Sequence, residues 1–316
     1  MSELWTRDYL GLYFWRLSKL YDAAMPKRGR EEELEKEKKK GKEEVEKNQL
    51  KCQYCGQSNG SLLPWKLGGN YFHNTCMVKY SEAETMVKNR VYTLVHHGKH
   101  MESKVVEGNM DRDAVSKEVF EELDKRYSEN TRYYHTLTHI ADLLKLSAAS
   151  IATGGSRIQI SDQEVVDWSI LYHDIIYDAK SSTNEEDSAA LFKNWAIKCR
   201  YSSQYSCALT PECVDKVHDY IIKTKTHDVS SSTDRDLQFF IDFDMSILGR
   251  ESEAEYENYC HRVRLEYAHV SDEAWAHGRG AFLRGALSLP HGSGDDSKSQ
   301  DEAKGTDKDK DEGKGK

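Results

Sequence analysis

Histidines and aspartates in three short segments have the residue types and spacing for metal chemistry. The segments are Tyr134-His135-Thr136-Leu137-Thr138-His139, Tyr172-His173-Asp174-Ile175-Ile176-Tyr177-Asp178 and Asp242-Phe243-Asp244-Met245. His135 and His139 are four apart, so on a helix they would share a face. His173 and Asp174 stand among Ile170, Leu171, Ile175 and Ile176, and Asp244 stands among Phe239, Phe240, Ile241, Phe243 and Met245. A carboxylate in such apolar company is costly to bury unless it is paired or bound to a cation. Singly, each has a plain explanation: a histidine on an apolar face is usually a hydrogen-bonded core residue, and an aspartate near a helix start is usually a cap. Together they point elsewhere. Histidine and carboxylate side chains from separate helices suit a borderline divalent metal in a bundle core. A mixed set also leaves coordination positions for water and a phosphate oxygen, as hydrolysis requires.

A second constellation lies nearer the N-terminus. Cys52-x-x-Cys55, seventeen intervening residues and His73-x-x-Cys76 supply two close pairs of ligands. Four protein ligands of this kind make a closed tetrahedral site, which is the structural use of zinc. Gly56 suits the tight turn after the first pair, and Gly68-Gly69 can turn a hairpin between Trp65 and Tyr71. The segment resembles treble-clef-like zinc fingers in which a Phe-His-x-x-Cys element opens a helix. About thirty residues make too small a core alone, so the metal would staple the module. Its use is either purely structural or the docking of a protein partner. Lys51, Lys66 and Lys79 are thin support for nucleic acid. His96, His97 and His100 form another candidate metal patch, or simply part of a polar connector.

The elements that position these groups read as helices. Val115, Val119, Leu123 and Tyr127 recur every four residues, as do other apolar residues through to Tyr267. Ser161 and Glu164 resemble a capping box before Val165, and Thr210-Pro211 reads as an N-cap and first-turn proline. No alternating strand is evident after residue 110, so the expected class is all-α. Residues 1–25 form an amphipathic stripe expected as a helix, 26–51 a charged linker, and 52–82 the finger. Residues 83–109 read as a connector, 110–289 as the main helical domain, and 290–316 as a disordered tail poor in apolar residues.

The bulk properties narrow the partners. The 316 residues carry a formal charge of -9, which disfavours a broadly basic nucleic-acid surface. A small anionic substrate remains compatible, because a metal ion can supply the positive charge. No run is apolar enough to cross a bilayer and no secretory signal is evident, so a cytoplasmic or nuclear location is expected. Clustered cysteines as metal ligands and dispersed reduced ones fit that location. Oligomeric state is not legible.

The ordered set His139, His173-Asp174 and Asp244 is similar to the signature of the HD superfamily of metal-dependent hydrolases. More narrowly, residues 111 to 288 resemble a group of predicted HD phosphohydrolases. The likeness runs through the His-Asp-x-x-Tyr-Asp element, Asn184 to Glu186, Thr226-His227, Asp242 with Asp244, and Val263-Arg264-Leu265-Glu266-Tyr267. It implies an HD-type helical bundle, with a divalent metal (manganese, iron, magnesium, nickel or cobalt) held by His139, His173, Asp174 and Asp244. The Tyr-His-Thr-Leu-Thr-His segment also resembles one of cyclic-nucleotide phosphodiesterases, in which the second histidine binds metal and the first protonates the leaving oxygen. Those enzymes have asparagine where Thr136 stands and histidine where Tyr177 stands. Carried over, His139 is a ligand and His135 a general acid, with Asp174 also at the catalytic centre. The implied reaction is in-line attack of a metal-activated water on the phosphorus of a nucleotide or related ester. Asp178, Glu185, His227 and Asp242 are candidates for supporting groups or a second ion. Arg264, Lys223, Lys225 and Arg279 are candidates for phosphate binding. The alternative is a catalytically silent metal- or nucleotide-binding regulator, or an adaptor docking through the finger.

Overall fold

The computed structural model describes Cys52 and residues 63–65, 70–72, 74–104, 111–152 and 160–288. The N-terminal stripe, the charged linker and the tail lie outside the described residues, as do Cys55 and His73 of the cysteine module. What is described is mostly helical. The helices are α1 (Asn74–His97), α2 (Arg112–Tyr127), α3 (Leu137–Ala152), α4 (Gln163–Tyr172), α5 (Asn184–Tyr201), α6 (Pro211–Lys223), α7 (Arg235–Met245), α8 (Glu253–Glu266) and α9 (Asp272–Ser288). None of them is long and apolar enough to cross a membrane.

Two small antiparallel ribbons accompany the helices. β1 (Leu63–Trp65) pairs with β2 (Asn70–Phe72), setting Trp65 opposite Asn70, so the expected hairpin forms. β3 (Met101–Ser103) pairs with β4 (Cys207–Leu209) across a long sequence separation. The second ribbon corrects the expectation of no strand after residue 110. Three residues are too few to show alternation, and all three of Cys207, Ala208 and Leu209 are buried.

The four-residue repeat of α2 does what its spacing predicts: Val115, Val119, Leu123 and Tyr127 are all buried. They join one large apolar core with α1, α3 to α7 and both β3 and β4. Burying each Val, Leu, Ile or Phe side chain there contributes roughly 1.5–3 kcal/mol. A smaller cluster of Leu248, Tyr256, Tyr259, Val263 and Leu283 joins α8 to α9, with Tyr134 and Trp275 packed against it.

Residues 83–97 are no connector. They continue α1, whose Val87, Val91, Leu94 and Val95 are buried against α2 and α3. Lys88, Asn89, Tyr92 and Thr93 between these positions are exposed, so the buried stripe is narrow and is interrupted in the sequence by polar and aromatic residues. His96 stacks on Tyr92 with the His97 ring 6.1 Å away, while His100, beyond the helix end, bonds Asp162 at 2.8 Å.

The start of α4 also differs in detail from expectation. Its cap is Asp162, whose side chain accepts from the Val165 N–H. Ser161 instead donates its N–H to buried Asp236 at 2.8 Å, and Glu164 accepts the N–H groups of Lys99 and His100. Long-range partners thus took both halves of the expected capping box. At α6, Thr210 and Pro211 act as predicted, the Thr210 hydroxyl accepting from Cys213 N–H.

Candidate metal centre

One helix start and two helix ends meet at the site. α3 carries His139 in its first turn, His173 is the C-cap of α4 with Asp174 just beyond, and Asp244 is the penultimate residue of α7. The three helices pack on one another, so their termini converge. Nε2 of His139, Nε2 of His173 and a carboxylate oxygen of Asp174 lie within 4.8 Å of one another. The two imidazole nitrogens face each other at 3.3 Å. Asp174 Oδ2 is 3.0 Å from His173 Nε2 and 3.7 Å from His139 Nε2. Asp244 stands outside that mutual triad yet contacts both histidines, with Oδ1 at 3.2 Å from His139 and 3.6 Å from His173.

These residues fit a divalent ion. With bonds of ~2.1 Å, neighbouring ligand atoms stand ~3.0 Å apart at right angles and ~3.4 Å apart in a tetrahedron. The separations of 3.0–3.7 Å span both. His173 Nδ1 donates to the Ile170 carbonyl at 3.0 Å, which leaves the Nε2 lone pair aimed at the cluster. His139 and His173 are sealed, at 2% and 1% side-chain exposure, while Asp174 and Asp244 keep 19% and 13% toward solvent. Electrostatics agrees. Burial disfavours every charge here, yet Asp174 and Asp244 overcome it and hold the His173 pKa well above the imidazole range. Reciprocally, Asp244 is held well below the carboxylate range. The cluster therefore binds protons that a cation would displace.

His135 stands beside the cluster but off the helix, because α3 begins only at Leu137. The expected shared helical face is thus replaced by a turn, in which Thr136 N–H bonds the Tyr134 carbonyl at 2.8 Å. Nε2 of His135 lies 4.0 Å from Asp174 Oδ2. Its Nδ1 lies 2.7 Å from Glu266 Oε2, and its ring tilts against Tyr177 at 4.2 Å. Glu266 has a fully buried side chain. Its other oxygen accepts the backbone N–H groups of Tyr133, Tyr134 and His135 at 2.8, 2.7 and 3.0 Å, and Tyr177 donates its hydroxyl to Oε2. Burial opposes both charges. Glu266 and Asp174 nevertheless raise the His135 pKa, and His135 with the backbone donors lowers that of Glu266.

Two buried arginines hold the same turn. Arg132, fully buried, donates to the carbonyls of Asp174 at 2.6 Å and Ile175 at 2.8 Å, and to that of His135 at 3.4 Å. Arg262 donates to the Tyr133 carbonyl at 2.6 Å. Sequence reasoning gave no site role to Glu266, named only within a family-like segment, and missed Arg262 and Arg132. For the first two a signal existed: Tyr259, Arg262, Val263 and Glu266 share one buried helical face, so two charges stand in an apolar stripe. Arg132 lies in an irregular turn, where no periodicity marks it.

Among the candidate supporting groups, His227 is brought to the site. Its Nε2 is 3.1 Å from Asp244 Oδ2, the oxygen turned away from the other histidines. Its backbone is left-handed at φ 53°, a conformation of some cost for a residue with a side chain. Among the described residues, none of the remaining three bonds a member of the cluster. Asp242 is exposed. Asp178 is exposed and closes its own loop through the Lys180 N–H and Asn184. Glu185 sits in the acidic first turn of α5, where a carboxylate suits the helix dipole.

The phosphate candidates fare unequally. Arg264 bonds the carbonyls of Tyr267 and Val270 and the carboxylate of Asp272, so it ties α8 to α9 and is no clamp. Lys225 is engaged by Glu186 and the Ser182 carbonyl, and Lys223 is an exposed residue in the last turn of α6. Arg279 bonds the hydroxyl of Tyr259, whose ring packs at 4.7 Å on Tyr134, itself 5.0 Å from the His139 ring.

Of the cysteine module, Cys52 is buried and Cys76 is half-buried against the main core. Helix α1 opens at Asn74, immediately after His73. No protein-family model, curated protein or solved structure matches the chain.

Proposed function

We propose that the chain is a metal-dependent phosphohydrolase of the HD type its motifs resemble, acting on a nucleotide or related phosphate ester. The observation that carries this reading is the convergence of His139, His173, Asp174 and Asp244 at contact distance, with His135 tethered alongside. A divalent cation held by those four would supply Lewis-acid charge to the phosphoryl oxygens and make water a competent nucleophile. The protein's own groups do the rest. Glu266 fixes the Nδ1 side of His135, so Nε2 is the edge that faces the cluster and can give a proton to the departing oxygen. The Tyr177 ring covers the imidazole and limits its rotation. Arg132 binds the carbonyls of both His135 and Asp174, holding the proton donor and a metal ligand in one frame. His227 orients Asp244 from its outer oxygen.

A structural zinc held by Cys52, Cys55, His73 and Cys76 belongs to the same proposal, with a protein partner as the finger's docking target. The β1–β2 ribbon followed directly by α1 supports it.

The test is release of phosphate or nucleoside from a panel of phosphomonoesters, cyclic nucleotides and nucleoside triphosphates. The protein would be loaded in turn with manganese, iron, magnesium, nickel and cobalt, beside an Asp174→Ala control. Metal-dependent turnover absent from the control supports the reading. Silence across the panel with metal bound at the cluster would replace it with a metal- or nucleotide-binding regulator.

A further inference from the structure

Arg279 lies on α9, half-buried between two aromatic rings, with its guanidinium carbon 5.2 Å from the Tyr259 centroid and 4.7 Å from that of Phe282. One nitrogen, Nη2, bonds the Tyr259 hydroxyl. Its other donors have no acceptor among the described residues, and no described carboxylate lies within 4.0 Å. A half-buried guanidinium without a counter-ion has lost part of its hydration, and an anion bound at its open edge would offset that loss. Arg264 and Lys225 have carboxylate partners, Arg132 is held by Glu129 and carbonyls, and Lys223 is exposed to solvent.

Two chains of contacts lead from Arg279 to the metal-ligand cluster. Through Tyr259 the path runs to Tyr134, ring to ring at 4.7 Å, and from Tyr134 to His139 at 5.0 Å. Through Phe282 it runs to His227, edge-on at 6.3 Å, and from His227 to Asp244 at 3.1 Å. The Tyr259 hydroxyl is near enough to Asp244 for that carboxylate, behind burial as the main cause, to help raise its pKa.

We propose that Arg279 anchors the substrate's anion, its free guanidinium edge binding phosphoryl oxygens beside the cluster. The identity of the anion rests on the phosphohydrolase reading; the existence of an anion site does not. The planar fork, braced between the Tyr259 and Phe282 rings, is pre-organised for two parallel hydrogen bonds. Because α9 brings this residue in from the end of the chain's described part, the site is complete only when α9 is docked on α8.

The experiment is calorimetric titration of inorganic phosphate into the full-length, manganese-loaded protein, with thermal melts alongside. Wild type binds phosphate, Arg279→Gln binds it at least tenfold more weakly at an unchanged melting temperature, and Arg279→Lys falls between. In any ester assay the Gln variant raises KM more than it lowers kcat. The proposal is overturned if wild type binds no phosphate or if the Gln variant binds as wild type does. It is also overturned if Lys and Gln variants lose affinity and melting temperature equally, since that is a packing role. Phosphate binding that depends on Arg279 without any ester hydrolysis would keep the anion site and sink the hydrolase. Hydrolysis with an unaltered KM in the Gln variant would do the reverse.

Discussion

Replacing Glu266 with glutamine probes the proton-donor half of the site while leaving the metal ligands untouched. The carboxylate accepts three backbone N–H groups through Oε1, and His135 Nδ1 and the Tyr177 hydroxyl through Oε2. An amide oxygen can keep the backbone donors, so the turn should hold. The amide NH2, however, faces two donors and carries no charge to balance an imidazolium. A hydrogen bond to a charged group contributes ~1.5–3 kcal/mol, so Glu266→Gln should destabilise the protein by about 2 kcal/mol. The pH dependence follows from the two shifts. Glu266 has a lowered folded pKa, so its contribution is present above its unfolded value of ~4.3 and is lost as pH falls through the folded one. His135 has a raised folded pKa, so its contribution is complete below ~6.5 and is lost as pH rises through the folded one. In metal-free protein the destabilisation should therefore be largest between about pH 4.5 and 6.5 and shrink on either side. For turnover, a positioned general acid contributes ~10²–10⁴-fold, so kcat on an alkyl phosphate at pH 7 should fall ~10²-fold. A nitrophenyl phosphate, whose leaving group needs no proton, should lose less than about fivefold. Bound metal, measured by atomic emission, should stay the same. Equal losses on both esters, or none on either, would refute the role of Glu266 in orienting a proton donor.

Other perturbations give separable outcomes. Asp167 is buried at 1% exposure and is bound by Arg90, by the Ser147 hydroxyl at 2.7 Å and by Gln163 at 3.0 Å. Asp167→Ala should cost ~1–3 kcal/mol, read as a lower urea midpoint at unchanged slope, because it removes the acceptor shared by Arg90, Ser147 and Gln163 where α1, α3 and α4 meet. A metal that occupies the cluster at a hundred times its Kd should stabilise the fold by ~2.7 kcal/mol, raising the melting temperature by about 5–10 °C. His139→Ala should abolish that rise; an undiminished rise would move the metal elsewhere. Cys76→Ser should release one equivalent of zinc without changing metal at the helical cluster, and unchanged zinc content would count against the finger.

The sequence by itself determined the helical class, most element positions and the chemical types at the cluster. Apolar residues at helical spacing bury one face wherever they pack, and Thr210-Pro211 starts a helix by local bonds alone. Those causes act within a few residues, so they are legible in the chain. Tertiary structure decided which groups meet. Glu266 reaches His135 across 131 residues, and His227 reaches Asp244 because a left-handed turn aims it there. Packing also moved the cap of α4 from Ser161 to Asp162 and engaged Arg264 in a structural bond. It also made residues 83–97, which read as a connector, part of a helix that forms one wall of the core. Such outcomes depend on which donor finds which acceptor once distant helices have docked, and no spacing along the chain encodes that distance.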